Sequence, residues 1–224
     1  MDISLTAADG HKFAAYRADP PKGTKVRGAV VVLQEIFGVN RHMRSDTDRF
    51  AQAGYVAICP ALFDRVERNV DLGYGPDDIP RGRDIRTKIT WPQVLADIGA
   101  AIGEARKAAP GGKVGVVGYC WGGSLAWRAA TQLSCDAAVG YYGGMVAEFA
   151  AEKPKCPVML HFGDMDQGIP LTHVDTVKKH HPDLPAHVYH ADHGFNCDDR
   201  KQYDAAAAKL ARERTMAFLA KNVG

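Results

Sequence analysis

One of the five cysteines in this chain sits where a thiol can serve as a nucleophile. Cys120 lies in KVGVVGYCWGG (113–123), where an apolar run enters Gly118-Tyr119-Cys120-Trp121-Gly122 and continues into a stretch with helical spacing. The spacing is that of G-x-S-x-G, with cysteine in the serine position. A nucleophile on a tight strand-to-helix turn needs those glycines, because Cβ atoms two residues to either side would collide. A helix starting near Trp121 would point free amides and the positive end of its dipole at Cys120, which favours a thiolate. An inert cysteine buried at a glycine-rich strand end would carry the same letters, so the partners decide.

A nucleophile of this kind needs a base, and the base needs a group that fixes its tautomer. HFGDMDQGIP (161–170) offers Asp164 and Asp166, either of which also suits a turn; HADHGF (190–195) offers His190 and His193. His190 closes an apolar run and reads as an edge residue. His193, beside Gly194, belongs to a loop able to reach over strand ends. The order Cys120, Asp166, His193 is that of α/β-hydrolases and differs from papain-like and chymotrypsin-like enzymes. Glu35, in LQEIFG, follows another apolar run, and a carboxylate buried there must pair or shift its pKa. Near Cys120 it would accept the thiol proton or tune thiolate formation; otherwise it bonds loop amides. The backbone N–H groups of Ile36 and Trp121 are placed to form an oxyanion hole.

The elements that must position these residues are legible as a rhythm. Runs at 3–6 and 12–16, joined through Asp9-Gly10, read as an N-terminal hairpin. The later runs at 29–33, 56–58, 114–117, 137–140, 158–162 and 186–189 are too continuously apolar for half-exposed strands and suit a mostly parallel sheet buried on both faces. Helical spacing at 41–53, 91–107, 121–132, 171–180 and 203–219 alternates with them, which predicts an α/β fold with helices on both faces. Glu35, Cys120, Asp166 and His193 then fall at carboxyl ends of strands, where such folds collect their chemistry. Residues 64–90 break the rhythm, being rich in charge, Gly and Pro, and read as a structured insertion near the active end.

A chain of 224 residues with 46% apolar content and no Pro/Gly/Ser-rich linker predicts one domain. A formal charge of +2 with mixed signs and no basic stripe argues against nucleic acid or an anionic membrane as partner. The sequence predicts no spanning helix and, from its N-terminal residues, no leader, hence a cytoplasmic protein with reduced thiols. No C-x-x-C pair or compact Cys/His motif is present, so neither a metal site nor a cofactor is expected, and the expected partner is a small molecule acted on by a monomer.

The chain resembles the dienelactone hydrolase (carboxymethylenebutenolidase) family of α/β-hydrolases. The matching segments are QEIFGVN (34–40), GYxAICP (54–60), KVGVVGYCWGG around Cys120, AVGYYG (138–143), HFGxxDxxIP around Asp166, AxHGF (191–195) and ERTMAFL near the end, in order along nearly the whole chain. The resemblance implies that Cys120, Asp166 and His193 form the triad, that Glu35 controls the thiol, and that an unsaturated lactone is opened to a keto-acid. It also implies arginines that hold a substrate carboxylate, one before the helix at 91 and one shortly after the histidine. Upstream, Arg81, Arg83 and Arg86 are candidates; downstream, the near position holds Cys197 and the first arginine is Arg200. A broader esterase or thioesterase on the same triad is the alternative activity, and a non-catalytic thiol sensor the alternative class.

Overall fold

The structure is a computed structural model that describes residues 1–109 and 111–224. Strands β1 (Asp2–Thr6) and β2 (Lys12–Ala18) form the expected hairpin, with Gly10 at φ 86° in the turn. Antiparallel pairing of β2 with β4 (Tyr55–Pro60) attaches the hairpin to six parallel strands. These are β4, β3 (Gly28–Leu33), β5 (Val114–Tyr119), β6 (Ala137–Tyr141), β7 (Val158–Gly163) and β8 (Ala186–Tyr189), and the sheet order is β1-β2-β4-β3-β5-β6-β7-β8.

Every residue of β3, β4 and β5 is buried, which is why their sequences run apolar without alternation. Each fully buried valine contributes about 1.5–3 kcal/mol, so these strands anchor the sheet. Among the described residues six helices complete the fold: α1 (Arg41–Gln52), α2 (Asp78–Thr87), α3 (Trp91–Ala108), α4 (Trp121–Gln132), α5 (Leu171–His180) and α6 (Ala205–Asn222). Helices α3 and α4 pack together on one face of the sheet. On the other, α1 and α6 receive tyrosines from the strands: Tyr119 bonds Asp46, Tyr141 bonds Thr215 at 2.6 Å, and Arg212 closes the layer onto Asp46 at 3.2 Å. Among the described residues no helix is long and apolar enough to cross a membrane.

From β3 the chain moves outward to β4, then returns past β3 to β5 and continues the other way. That reversal opens a crevice between the carboxyl ends of β3 and β5, the place where open α/β sheets bind ligands. The insertion at 64–90 lies over it and is more regular than its composition suggests, since it contains α2. It is also stitched to the loop after β3. Gly38 makes an isolated bridge with Asp71, Leu72 N–H donates to the Phe37 carbonyl at 2.9 Å, and Asn40, the N-cap of α1, donates to the Leu72 carbonyl at 3.1 Å.

Candidate active site

Cys120 is the only residue between β5 and α4, and its backbone takes φ 55° and ψ −114°. A side chain in that region costs on the order of 1–3 kcal/mol and persists only where the surroundings enforce it. Here the glycines do so. A Cβ on Gly118 would lie 1.9 Å from the Gly122 carbonyl oxygen, and one on Gly122 would lie 2.2 Å from the Leu33 carbonyl oxygen. The elbow therefore closes only with both glycines, and it lifts the Cys120 thiol into a cavity of about 460 Å3. Asp166 and His193 line the same cavity, as do Ile36 and Trp121. Neither the Ile36 nor the Trp121 amide donates to another group among the described residues, which leaves both free for an oxyanion.

Loops after the adjacent strands β7 and β8 bring the other two residues together. They touch at Gly163, where a Cβ would lie 2.1 Å from the Ala191 carbonyl oxygen. His193 Nδ1 is 2.6 Å from Asp166 Oδ2, and the Asp166 side chain is almost fully buried. Its Oδ1 accepts the Gly168 N–H at 2.8 Å, so the carboxylate is held from both ends. Burial of the imidazole opposes its protonation, but the Cys120 charge and hydrogen bonds to Asp166 and Cys120 outweigh that, and the His193 pKa is pushed up to about 10. The alternatives left open by the sequence form their own pair: His190 Nδ1 lies 3.1 Å from Asp164 Oδ1, out in solvent.

Glu35 is buried beneath the cavity floor. Its Oε1 accepts from Arg200 Nη1 at 3.2 Å, and its Oε2 accepts a long bond from the Tyr74 hydroxyl at 3.4 Å. Arg200 lies over the backbone of Gly194, which has φ 81° and where a Cβ would come within 2.5 Å of the guanidinium. The downstream arginine is thus Arg200, tethered to Glu35 and lining the cavity. Of the upstream candidates, Arg83 and Arg86 line the cavity, and neither meets a carboxylate among the described residues. Arg81 does not reach it. Helical phase turns Arg81 outward to Glu67 at 2.5 Å, which corrects the expectation for that residue.

Several neighbours had no signal in the sequence. His42, Cys197 and Glu35 are far apart along the chain, yet their ligand-type atoms all lie within 4.8 Å of one another, and all three are buried. Burial disfavours the His42 imidazolium, but Cys197, Glu35 and Asp46 outweigh it and raise the His42 pKa to about 9. The trio has the donor types of a metal site. The Arg200 guanidinium on Glu35 opposes a cation there, so the polar groups read better as a charge-balanced support for Glu35. Tyr142, at φ 38°, packs its ring 5.0 Å from that of His193. Of the remaining thiols, Cys59 is buried and pushed up to about 12 by desolvation, whereas Cys135 and Cys156 lie 3.6 Å apart.

Comparison with known proteins agrees with this fold. Residues 13–223 match the family model described as the dienelactone hydrolase family. A carboxymethylenebutenolidase of Pseudomonas putida is 36% identical, covering 97% of this chain and 95% of its own. Carboxymethylenebutenolidase 1 of Cupriavidus pinatubonensis is 30% identical over the same shares, 97% and 95%. Among solved structures, a Klebsiella pneumoniae protein assigned as a dienelactone hydrolase superposes with a TM-score of 0.85 at 30% identity, covering 99% of each chain. A cysteine elbow beside an Asp–His pair, a matching fold and relatives aligned almost end to end lead to one conclusion: this chain is a hydrolase with the α/β-hydrolase fold and belongs to the dienelactone hydrolase family.

Proposed function

We propose that this enzyme opens an unsaturated, carboxylate-bearing lactone to a keto-acid through an acyl-thioester on Cys120. The observation that carries the proposal is the convergence on one cavity of a cysteine at a strained elbow and an imidazole held 2.6 Å from a buried carboxylate. Cys120 thiolate attacks the lactone carbonyl while the Ile36 and Trp121 amides hold the oxyanion. The ring C–O bond breaks, His193 delivers its proton to the departing enolate oxygen, and the resulting enol tautomerises to the ketone. Water, deprotonated by His193, then hydrolyses the thioester and restores the thiolate. Asp166 fixes the imidazole with Nδ1–H toward itself and Nε2 free for these transfers.

Glu35 governs the thiol in this scheme. Arg200 neutralises its carboxylate and also lines the cavity, so an incoming carboxylate competes with Glu35 for the same guanidinium. Arg83 and Arg86 supply further donors without bound carboxylates of their own. A charge-assisted hydrogen bond contributes about 1.5–3 kcal/mol, enough to set a preference of roughly ten- to a hundredfold for an acid over its ester.

Trapping is the decisive experiment. Rapid mixing with an enol-lactone followed by acid quench and intact-mass spectrometry should show an adduct of the whole substrate mass, mapped to Cys120 and absent in Cys120→Ala. Ring opening at an undiminished rate by Cys120→Ala would sink the assignment. A preference for 4-nitrophenyl esters over enol-lactones would instead favour a broader esterase on the same triad.

A further inference from the structure

Helix α2 touches the substrate cavity and the oxyanion loop on one face. A Cβ on Gly82 would sit 1.9 Å from the carbonyl oxygen of Ile36 and 3.0 Å from its carbonyl carbon, so the helix backbone rests directly on the peptide that follows the Ile36 amide. Flexing a side chain cannot relieve that contact, because the neighbour is backbone. Arg86, one turn along, shares that face and lines the cavity, as do Ile79 and Arg83. Ile85 is buried and holds the helix down. At the start of the insertion the same loop is gripped again. Gly38, at φ 77°, leaves a Cβ position 1.9 Å from the Val70 carbonyl oxygen, and the Phe37 ring meets Tyr74 edge-on at 4.6 Å. The loop after β3 is thus clamped along its length by the insertion, and its Ile36 end is set by α2.

We propose that Gly82 is a positioning residue through which a substrate carboxylate tightens the oxyanion hole. This rests on the reading above, in which Ile36 N–H holds the oxyanion and Arg83 and Arg86 receive the carboxylate. A carboxylate drawn in by Arg86 pulls α2 toward the cavity. Because no side chain separates Gly82 from Ile36, the helix transmits that displacement to the Ile36 carbonyl and, through the Ile36 backbone, turns the preceding peptide so that its N–H moves toward the developing charge. The carboxylate then contributes to turnover as well as to binding. An inserted methyl at residue 82 breaks the contact without removing any group that touches substrate.

The test compares the mono-4-nitrophenyl ester of terephthalic acid with its methyl 4-nitrophenyl diester, each rate taken relative to the uncatalysed hydrolysis of the same ester. For the native enzyme the inference expects a higher kcat, together with a lower KM, for the acid. Gly82→Ala should abolish most of the kcat advantage of the acid, by about tenfold or more given that a 1 Å misplacement can cost about a hundredfold, while the KM advantage is kept. Arg86→Ala should diminish both advantages, with Arg83 and Arg200 retaining part of the binding, and the double variant should show no further loss in the kcat ratio. If Gly82→Ala lowers kcat equally for acid and diester, or leaves their kcat ratio intact, the inference is overturned and Gly82 is only a packing residue. Should Gly82→Ala fail to fold, Arg86→Ala still decides: a drop in the KM advantage alone overturns the coupling. Native enzyme that treats acid and diester alike defeats the carboxylate reading itself, a result separable from failure of the coupling.

Discussion

Two carboxylate–imidazole pairs bridge the loops after β7 and β8, and their contrast shows what suits one of them to the proposed catalysis. Asp164–His190 and Asp166–His193 have similar spacing and join the same two loops, at 3.1 Å and 2.6 Å. The His190 side chain is 84% exposed and that of Asp164 35%, whereas Asp166 is 2% exposed and His193 26%. An ion pair in solvent gains little, because water competes with the partner. Beneath the cavity the carboxylate keeps one geometry, and Cys120 gives the ring a second partner. Chemistry therefore follows from what surrounds the pair, and the residue types alone do not supply it.

The sharpest way to break this comparison is to neutralise each carboxylate in turn. Asp166→Asn should lower kcat by about a thousand- to ten-thousandfold through loss of the correct tautomer, with the fold kept. Asp164→Asn should leave kcat within about twofold, as expected of a surface substitution. Equal losses in steady-state assays would erase the distinction.

A second test concerns charge. If the Cys120 thiolate sustains the His193 imidazolium, Cys120→Ala should drop the His193 pKa from about 10 toward its ordinary 6.5, read by NMR titration of the ring. The sign for stability follows. A folded-state pKa above the unfolded value stabilises the fold at pH below about 6.5, and that contribution is lost as pH rises through about 10. Urea midpoints of the native enzyme should fall over that window more than those of Cys120→Ala.

A smaller effect is expected at the third carboxylate of the site. Glu35→Gln retains an acceptor for Arg200 but removes the charge, so the acylation rate should fall by about tenfold and its pH profile should shift, since proton transfer by a placed group is commonly worth a hundredfold or more. An unchanged profile in single-turnover measurements would return Glu35 to a purely structural role. Least of all should His190→Ala matter: its urea midpoint should correspond to a change below about 0.5 kcal/mol.

The elbow, the order of Cys120, Asp166 and His193 and the strand rhythm are legible in the sequence because each depends on local pattern: glycines at fixed spacing, a continuous apolar run, a helix start. The sequence could not separate Asp164 from Asp166 by spacing alone, since burial distinguishes them and burial is set by the packing of β7 against β6 and β8. Helix α2 is not legible in the sequence for a related reason. DIPRGRDIRT holds both Pro80 and Gly82 and little amphipathic pattern, so its helicity is secured by its contacts with the Ile36 loop and by buried Ile85. Without the helix, the phase that turns Arg81 away and Arg83 and Arg86 inward was not readable. The meeting of Glu35, His42 and Cys197 is a product of topology, drawn from the ends of β3 and β8 and the start of α1.

The sheet order also fixes how the enzyme fails. Cys120 hangs from β5, a central strand bonded on both sides, while His193 follows β8, an edge strand of four residues bonded only to β7 and partly open to water. Fraying begins at such edges. On mild warming or in low denaturant the imidazole should be released while the elbow still stands. Activity would then disappear ahead of the loss of circular dichroism, and amides of β8 would exchange with deuterium before those of β5.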